Sequence, residues 1–341
     1  MKIRYVRDNM IGKTEIKVAL LLTFTIFFTI FFSGSLFGCS VTFKNISLKD
    51  VTLKETFKVK EQAIISSMSK TTSVFPLVTN ERVDNQLEKL KKSPYSIKKW
   101  LSRSKRYEAL MKGIFIGQGI PEDMFYVAIL ESGFDPHSIS SKGAGGPWQF
   151  IPTTASRMGM RIDEWVDERK DYEKSTRYAA KYFAYFHRSF DDWYLALAGY
   201  NCGGAPVRKA IKKCGDVSIW EMADQGMLTF QARGYVPRII AITMIMLEPE
   251  KFGFEHPAGE KPMTYDKIYV PGGLPLSFFA NTIKVKTKTL TTLNPELLKE
   301  MTPPGAIDYE LKIPPGKKLL YLKGFDEAYV KYRGVFQDRG D

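Results

Sequence analysis

The sequence predicts a mainly α-helical protein with one small β-containing segment near its carboxyl end. Apolar residues recur at helical spacing between residues 83 and 117 and again from Ser175 to Phe190. Between residues 262 and 316 the pattern changes to strand, helix, helix, strand. With 341 residues, 44% of them hydrophobic, the chain is long enough for one sizeable helical domain and a small second one.

Residues 1–38 predict an export signal or a membrane anchor, because a basic segment precedes the uncharged stretch from Val18 to Phe43. The stretch includes Leu-Phe-Gly-Cys ending at Cys39, which resembles the lipobox of bacterial lipoproteins, where the cysteine is acylated. A single uncleaved transmembrane helix is the alternative, since the stretch is long enough to span. Residues 39–82, rich in Lys, Thr and Ser, predict a tether.

The helix around Glu131 carries the most informative residue. We expect this helix to begin at Pro121 and to end at Gly133, with Glu131 on the same side as Val127 and Ala128. An apolar face and the negative end of the helix dipole both disfavour the carboxylate, so the pKa should rise. The dipole contributes only about 0.3–1 kcal/mol, so desolvation must supply most of the shift. Position alone favours a glutamate that solvates a helix end.

A ligand-binding loop is predicted between residues 131 and 155. Its glycines permit the backbone to approach a ligand closely, and Trp148 with Gln149 offers the stacking face and polar fork that a sugar ring needs. We expect the next helix to start at Thr153 or Thr154. The glycines are Gly143, Gly145 and Gly146.

Two further helices are predicted downstream of the loop. The segment from Ser175 to Phe190 carries an aromatic stripe that is typical of a helix face packed on the core. The segment from Asp192 to Asn201 reads as a helix capped by Gly203 or Gly204.

Four ordered motifs run through this region. They comprise Glu131, Ser132, Phe134, Gly143, Ala144, Gly146, Trp148, Gln149 and Phe150; then Val166 to Arg169 with Ser175 to Tyr182; then Ala198, Tyr200, Asn201 and Gly203; and finally Arg233, Tyr235, Val236 and Pro237. Together they resemble the lytic murein transglycosylases of glycoside hydrolase family 23. The resemblance covers roughly residues 83–253 and implies a goose-lysozyme-like helical catalytic domain over 83–254, with a helical extension over 83–117.

This resemblance implies an enzyme that cleaves the β-1,4 bond between N-acetylmuramic acid and N-acetylglucosamine in peptidoglycan and leaves a 1,6-anhydro end, in cell-wall turnover or remodelling. Glu131 would act as the catalytic acid and then as the base. The implied substrate-binding residues are Ser132, Ser140, Gly146, Trp148, Gln149, Tyr200, Asn201 and Tyr235.

Two other functions stay open. One is a hydrolytic muramidase on the same fold, in which Asp163, Asp167 or Asp191 positions a water. The other is a non-catalytic peptidoglycan-binding lipoprotein. It is conceivable because the chain has Gly204 and Gln231 where the family commonly has glutamate.

Residues 262–316 resemble a LysM module in their β-α-α-β order. Phe279-Ala280 and Leu293-Asn294-Pro295 match positions of that module, whereas Gly272-Gly273 stands where the family has Gly-Asp-Thr. The alternative is a structural appendage without sugar affinity. Residues 317–341 are predicted only to form a tail.

The net charge of +13 suits an anionic partner. No zinc finger, RNA-recognition motif or basic stripe concentrates the charge, which argues against nucleic acid and favours cell wall or lipid headgroups. The histidines show no metal-ligand spacing, so neither a metal nor another cofactor is expected. The sequence indicates no oligomeric state. The histidines are His137, His187 and His256.

The cysteines bear on the compartment. If Cys39 is acylated, Cys202 and Cys214 remain as a possible disulfide, with two buried thiols as the alternative. Cys202 as a peptidase nucleophile is disfavoured, because it lies inside a motif that is already explained. The lipobox followed by Ser40 favours a bacterial outer-membrane lipoprotein facing the periplasm, and inner-membrane anchoring is the alternative.

Overall fold

The amino-terminal two thirds of the fold are helical in the structure, a computed structural model that describes residues 75–215 and 217–337. The apolar segment, Cys39 and the predicted tether up to residue 74 lie outside this range. The helices of this part are α1 (Glu81–Lys91), α2 (Pro94–Gly117), α3 (Val127–Ser132), α4 (Pro152–Arg157), α5 (Tyr172–Phe190), α6 (Trp193–Cys202), α7 (Gly204–Cys214), α8 (Ile219–Asp224) and α9 (Phe230–Leu247). Short 3-10 helices span Glu122–Tyr126, Glu168–Lys170 and Pro249–Phe252.

Helix α9 forms the centre of the larger core. It is apolar on nearly every side, and all its side chains from residue 239 to residue 243 are buried. A helix of this composition must lie inside a core rather than on its surface. It packs against α1 and α6, and α5 in turn packs against α2 and α6. Of the aromatic stripe predicted on α5, Phe186 is buried and Tyr178 and Tyr182 are half-buried against the core, but Tyr185 is exposed.

The helix around Glu131 differs from its prediction in its first turns. Residues Glu122–Tyr126 form a 3-10 helix, and the α-helix proper begins only at Val127. Its end is confirmed, because Gly133 adopts the left-handed conformation with φ of 61°. Helix α4 begins at Pro152, slightly before the predicted threonines, because a proline ring fits the first helical position without loss of a hydrogen bond.

The amino-terminal end of the described chain is part of this core. Phe75 is buried and meets Tyr194 edge to face, with ring centroids 5.2 Å apart. The Tyr194 hydroxyl donates to the carbonyl of Pro76 at 2.6 Å. Asn80 caps α1 by accepting a hydrogen bond from the amide of Val83. The end of the segment assigned as a tether therefore packs on the helical domain.

A second, smaller core contains the predicted β-α-α-β order. Strands β1 (Asp266–Val270) and β2 (Tyr309–Ile313) pair antiparallel, with Asp266 opposite Ile313. Helices α10 (Leu276–Thr282) and α11 (Thr287–Leu293) connect them. A final helix, α12 (Lys318–Gln337), packs on α10. The sequence pattern predicts no helix in this last segment.

The two cores meet through both apolar and charged contacts. Val166, which follows the glycine-rich loop of residues 131–155 in sequence, is buried in the smaller core. The amide of Asp167 donates to the carbonyl of Glu296 at 2.9 Å. Lys312 on β2 forms a buried ion pair with Asp171, the residue that caps α5, at 2.6 Å. Throughout residues 75–215 and 217–337, no helix is long and apolar enough to cross a membrane.

Candidate active site

Glu131 lies on the last turn of α3, where three grooves meet. The first groove runs between α1 and the start of α9, the second follows α2 and the end of α3, and the third lies beside α6 and the glycine-rich loop. Glu131 lines all three. It is the one carboxyl group among the described residues that line them, so no second acid shares this junction.

Burial and one hydrogen bond set the chemistry of this carboxyl group. Desolvation raises the pKa of Glu131 to about 7, while the hydrogen bond from the Tyr235 hydroxyl lowers it. The hydroxyl of Tyr235 donates to Oε1 of Glu131 at 2.5 Å. An acid with a pKa near neutrality can both donate and accept a proton at physiological pH, as general acid–base catalysis requires.

Tyr200 and Asn201 stand at the end of α6 beside Glu131. The Tyr200 hydroxyl donates to the carbonyl of Trp148 at 2.7 Å, which ties α6 to the loop. Burial raises the pKa of this phenol well above its usual value, with the nearby Glu131 charge as a second cause. The side-chain oxygen of Asn201 is buried and has no hydrogen-bond partner among the described residues. A ligand N–H could satisfy this acceptor.

Trp148 does not offer a stacking face, so that prediction is wrong. Its side chain is 0% exposed and lies edge-on to Phe115 and Phe183. Its indole N–H donates to the hydroxyl of Thr176 at 2.9 Å. The ring can lie in the core because its one polar atom, the indole nitrogen, has a buried hydrogen-bond partner in Thr176. Trp148 contributes to the site through its backbone carbonyl, which holds Tyr200.

Gly146 likewise serves the loop rather than a ligand. A Cβ atom at this position would lie 1.8 Å from the carbonyl oxygen of Arg169, so only glycine fits. The buried Arg169 guanidinium donates to the carbonyl oxygens of Gly143 and Phe150 and pairs with Asp167 at 2.8 Å. The second sequence motif therefore braces the loop of the first.

Gln149 lies between this brace and the third groove. Its φ of 48° places it in the left-handed region, which residues other than glycine seldom adopt. Its amide group donates to the carbonyl oxygens of Ser138 and Gly146. Gln149 and Tyr200 line the third groove together with Glu131, as the sequence predicts for a shared site. Strained backbone of this kind clusters at functional sites.

The predicted serines separate into two groups. Ser132 lines the second groove, and its hydroxyl donates to the carbonyl of Pro147 at 3.0 Å. Ser140 lines none of the three grooves, and its exposed hydroxyl accepts a hydrogen bond from the amide of Ala144. Ser138 lines the second groove instead. Ser140 therefore lies away from the three grooves, where its side chain closes a turn in the loop, and its contact with substrate stays a prediction.

The three aspartates considered as a second acid are used elsewhere. Asp167 pairs with Arg169. Desolvation is the largest single effect on Asp163 and raises its pKa, but the hydrogen bonds that it accepts from the side chain of Arg161 and from two backbone amides together lower the pKa below its usual value. Asp191 ends α5 in the left-handed conformation. None of these aspartates lines a groove that contains Glu131.

Cys202 and Cys214 are free thiols, so the predicted disulfide does not form. One cysteine ends α6 and the other ends α7, an 11-residue helix that separates them. At 1.5 Å of rise per residue such a helix spans roughly 16 Å, whereas disulfide-bonded Cα atoms lie about 4.4–6.8 Å apart. In the described ranges, no group of His, Cys, Asp or Glu side chains could hold a metal ion.

Sequence reasoning missed one wall of the site. Helix α1 was assigned as core packing through its apolar residues, yet its opposite face lines the first groove with polar side chains at helical spacing. The sequence does contain this polar face, as a stripe of polar residues on α1 at positions i, i+3, i+4 and i+7. These residues are Arg82, Asn85, Gln86 and Lys89.

Curated relatives are similar to parts of this chain. Membrane-bound lytic murein transglycosylase D of Escherichia coli K12 is 26% identical over 220 residues, which cover 63% of this chain and 48% of that protein. A protein of Alteromonas sp. (strain M-1) named for tributyltin chloride resistance is 37% identical over 95 residues, or 28% of this chain and 46% of that protein. The chain spans about half the length of the curated relatives that it matches.

Solved lytic transglycosylases are also similar to this chain. The 70 kDa soluble lytic transglycosylase Slt70 of E. coli has a TM-score of 0.39 and 17% identity, and the match covers 60% of this chain and 35% of that chain. The family described as Transglycosylase SLT domain matches residues 117–223, which contain Glu131, the glycine-rich loop, and Tyr200 with Asn201. Residues 117–223 of this chain are therefore similar to the transglycosylase SLT domain.

Proposed function

We propose that the protein is a peptidoglycan lytic transglycosylase. It cleaves the β-1,4 bond between N-acetylmuramic acid and N-acetylglucosamine, forms a 1,6-anhydromuramic acid end, and acts in cell-wall turnover or remodelling. The observation that carries this proposal is the solitary Glu131, whose pKa of about 7 and position at the junction of three grooves suit one group that serves as both acid and base.

The chemistry needs no water. Protonated Glu131 donates its proton to the glycosidic oxygen as the bond from that oxygen to the anomeric carbon breaks. The resulting carboxylate accepts the proton of the 6-hydroxyl group on the same muramic acid ring, and the oxygen of that hydroxyl bonds to the anomeric carbon. Tyr235 stabilises the carboxylate stage, because its hydroxyl donates to Glu131. An intramolecular nucleophile is already held near its target, which removes the need for a second carboxylate.

A hydrolytic muramidase is less well supported. An inverting glycosidase holds its water with a second carboxylate about 6.5–9.5 Å from the acid. No candidate for this second carboxylate lines a groove that contains Glu131. Asp163 and Asp167 are paired with arginines, and Asp191 ends α5. The non-catalytic alternative rests on Gly204 and Gln231. Gln231 lines the first groove, and glutamine at this position leaves Glu131 as the one carboxyl group on the described lining of that groove. The departure at residue 231 therefore does not take away the proposed acid.

One digestion separates these three functions. Purified peptidoglycan is treated with the protein in water enriched in ¹⁸O, and the masses of the products are measured by mass spectrometry. A lytic transglycosylase gives ends one water lighter than a reducing end and without the heavy isotope. A muramidase gives reducing ends that carry the isotope. A non-catalytic protein gives no new ends. Glu131→Gln protein is the matched control, because it should release neither product.

We propose that the protein works in the bacterial cell envelope, attached by an acylated Cys39 to the outer membrane and facing the periplasm. Its support is the lipobox-like sequence and the similarity to a relative named as membrane-bound. Cys39→Ala should leave the chain unacylated and release it from membranes, since acyl chains contribute about 0.8 kcal/mol per buried methylene. An intact mass that retains Met1 with unmodified Cys39 would favour an uncleaved inner-membrane anchor instead.

We also propose that residues 262–316 are a LysM-like module. The antiparallel pairing of β1 with β2 around α10 and α11 supports it. If the module binds glycan, the full-length protein should retain binding to sacculi when Glu131 is replaced by glutamine. Loss of binding on mutation of exposed module residues, at unchanged melting temperature, would separate sugar affinity from a purely structural role.

A further inference from the structure

Residues 165–171, called the bridging segment below, lie inside the stretch that matches the SLT domain but take hydrogen-bond partners from the LysM-like module. The amide of Asp167 donates to the carbonyl of Glu296 at 2.9 Å. The carbonyl of Trp165 accepts a hydrogen bond from the amide of Leu298 at 2.9 Å. Both hydrogen bonds join backbone to backbone, so they fix the path of the bridging segment against the module.

Two side chains of the bridging segment add to this attachment. Val166 is 1% exposed and packs within the smaller core. Asp171 is fully buried, and one oxygen of its carboxylate accepts a hydrogen bond from Lys312 of β2 at 2.6 Å. The other oxygen accepts from two amides in the first turn of α5, at 2.9 and 3.0 Å. The module therefore holds the segment by packing near one end and by charge at the other.

On its other side the bridging segment holds the glycine-rich loop through Arg169. Nε and Nη2 of Arg169 donate to the two carboxylate oxygens of Asp167 at 2.9 and 2.8 Å, and such a bidentate pair fixes the orientation of the guanidinium group. Nη1 donates to the carbonyl oxygens of Gly143 and Phe150 at 2.6 and 3.1 Å. A shift of Asp167 would therefore move the donor that holds two points of the loop.

The glycine-rich loop connects this contact to the third groove. Gln149 and Phe150 line that groove together with Glu131. The carbonyl of Trp148 accepts the hydrogen bond from Tyr200 that ties the loop to α6. A continuous series of contacts thus runs from the module, through the bridging segment and the loop, to the groove beside the proposed acid. A displacement of about 1 Å in such a support can cost about 10²-fold in rate.

We propose that the LysM-like module is a positioning element of the active site, which holds the glycine-rich loop in place through the bridging segment. Asp167 and Lys312 are positioning residues in this arrangement, since they line none of the three grooves that contain Glu131. A module that only tethers the enzyme to its polymer could be loosened without any effect on the chemistry. The proposal rests on the proposed function, because it assumes that Glu131 cleaves glycan.

Hydrogen exchange tests the positioning role without relying on catalysis. Full-length wild type and Lys312→Met are compared by mass spectrometry of peptides that cover residues 143–150, with residues 239–243 in the core of α9 as an internal reference. We expect exchange about tenfold faster in the loop of Lys312→Met and unchanged in the reference, because loss of the pair with Asp171 loosens the bridging segment. Lys288→Met, the same change at an exposed position of α11, is the matched control and should exchange as wild type.

The location of the faster exchange decides the outcome. Faster exchange in the module and the bridging segment, with wild-type exchange in residues 143–150, would overturn the proposal. Equal acceleration in the α9 reference would mean that Lys312→Met is globally destabilised, and Val166→Ala then decides, because it weakens packing in the smaller core and leaves the buried ions paired. Its loop should exchange about threefold faster than that of wild type at an unchanged reference. A loop that exchanges as wild type in Val166→Ala would also overturn the proposal.

A cleavage assay on a short soluble glycan separates positioning from tethering, because such a substrate gains nothing from attachment to the wall. Per folded molecule, measured by circular dichroism, kcat of Lys312→Met should fall about tenfold and KM should stay within about twofold of wild type. Lys288→Met should match wild type in both constants. An unchanged kcat in Lys312→Met would overturn the positioning role and leave the transglycosylase standing. Absence of cleavage by wild type would overturn the proposed function, while exchange in residues 143–150 would still decide whether the module holds the loop.

Discussion

Desolvation raises the pKa values of two glutamates in the described part of the chain, Glu131 and Glu296, in very different surroundings. Glu131 owes its pKa of about 7 to desolvation, and its one hydrogen-bond partner among the described side chains is the neutral Tyr235. Glu296 also has a raised pKa through desolvation and the nearby Asp171 charge, but the ammonium group of Lys312 lies 3.2 Å away. A perturbed pKa therefore does not identify a catalytic acid by itself.

Access and charge balance distinguish the two sites. Glu131 opens onto three grooves and has no cation within salt-bridge distance in the described part of the chain. Glu296 is 1% exposed and sits with Asp171 around Lys312, where the smaller core joins the larger one. The first site can exchange protons with a ligand. The second holds two parts of the fold together and offers a ligand no approach.

The largest expected difference is in activity. Glu131→Gln should lower the rate of peptidoglycan lysis by about 10²–10⁴-fold, because the amide keeps the shape of the side chain and loses its transferable proton. Glu296→Gln should stay within a few fold of wild type, since this carboxyl group lies away from the grooves. Turbidity of purified sacculi at a fixed protein concentration measures both variants. Residual lysis above a few per cent in Glu131→Gln would refute its assignment as the acid.

For stability, unlike activity, the site around Glu296 should matter more than the site around Glu131. The variant that tests this removes Lys312, the cation between Asp171 and Glu296. Lys312→Met leaves Asp171 and Glu296 buried without their partner, and breaking a buried ion pair from one side costs about 3–5 kcal/mol. Urea unfolding at pH 7 should report this loss of unfolding free energy. Lys299→Met, which removes an exposed pair with Glu164, is the matched control and should cost about 0–1 kcal/mol.

Much of the fold could be read from the sequence because local signals and tertiary packing agree. Asp192 caps α6 through the amide of Leu195, and Gly203 ends the helix with φ of 81°, so both ends carry local chemistry. The two strands β1 and β2 also followed from local pattern, whereas their antiparallel pairing is seen only in the structure. Helix α12 was missed because its apolar face has meaning only against α10, a contact that no local signal specifies.

The site was predicted less evenly than the fold. Glu131 could be found because an acid interrupts an apolar helix beside a glycine-rich loop. The role of Trp148 could not be predicted, because a tryptophan in a loop motif can serve either as a stacking surface or as part of the core. Its hydrogen bond to Thr176 in the structure shows that it is part of the core. The polar face of α1 was overlooked because its apolar face accounted for the helix. Tertiary placement, rather than residue type, fixed each of these roles.

The raised pKa of Glu131 also makes a prediction about stability. Its pKa lies above the unfolded value, so the native state binds more protons than the unfolded state between about pH 4.5 and 7, and wild-type stability falls as pH rises through this window. Glu131→Gln has no charge to bury. Its unfolding free energy should exceed that of wild type by about 1–3 kcal/mol at pH 8, and the difference should vanish near pH 4.

Melting curves across this pH range measure the effect. Glu122→Gln, an exposed glutamate at the start of the same segment, is the matched control and should follow wild type at every pH. A difference between Glu131→Gln and wild type that is the same at pH 4 and at pH 8 would contradict a buried, protonated acid.

The smallest expected effect concerns the hydrogen bond from Tyr235. This bond favours the carboxylate form of Glu131, so its removal in Tyr235→Phe should raise the pKa of the acid. Catalysis needs the protonated form in the free enzyme, and kcat/KM should therefore fall on the alkaline side near pH 7 in wild type and about one pH unit higher in the variant. Tyr265→Phe is the matched control, because Tyr265 donates to Glu173 beside the buried ion pair and not to Glu131. Its alkaline limb should stay at the wild-type pH. A limb that moves to lower pH in Tyr235→Phe would mean that Tyr235 stabilises the protonated acid, and the comparison of the two glutamates would then lose its electrostatic basis.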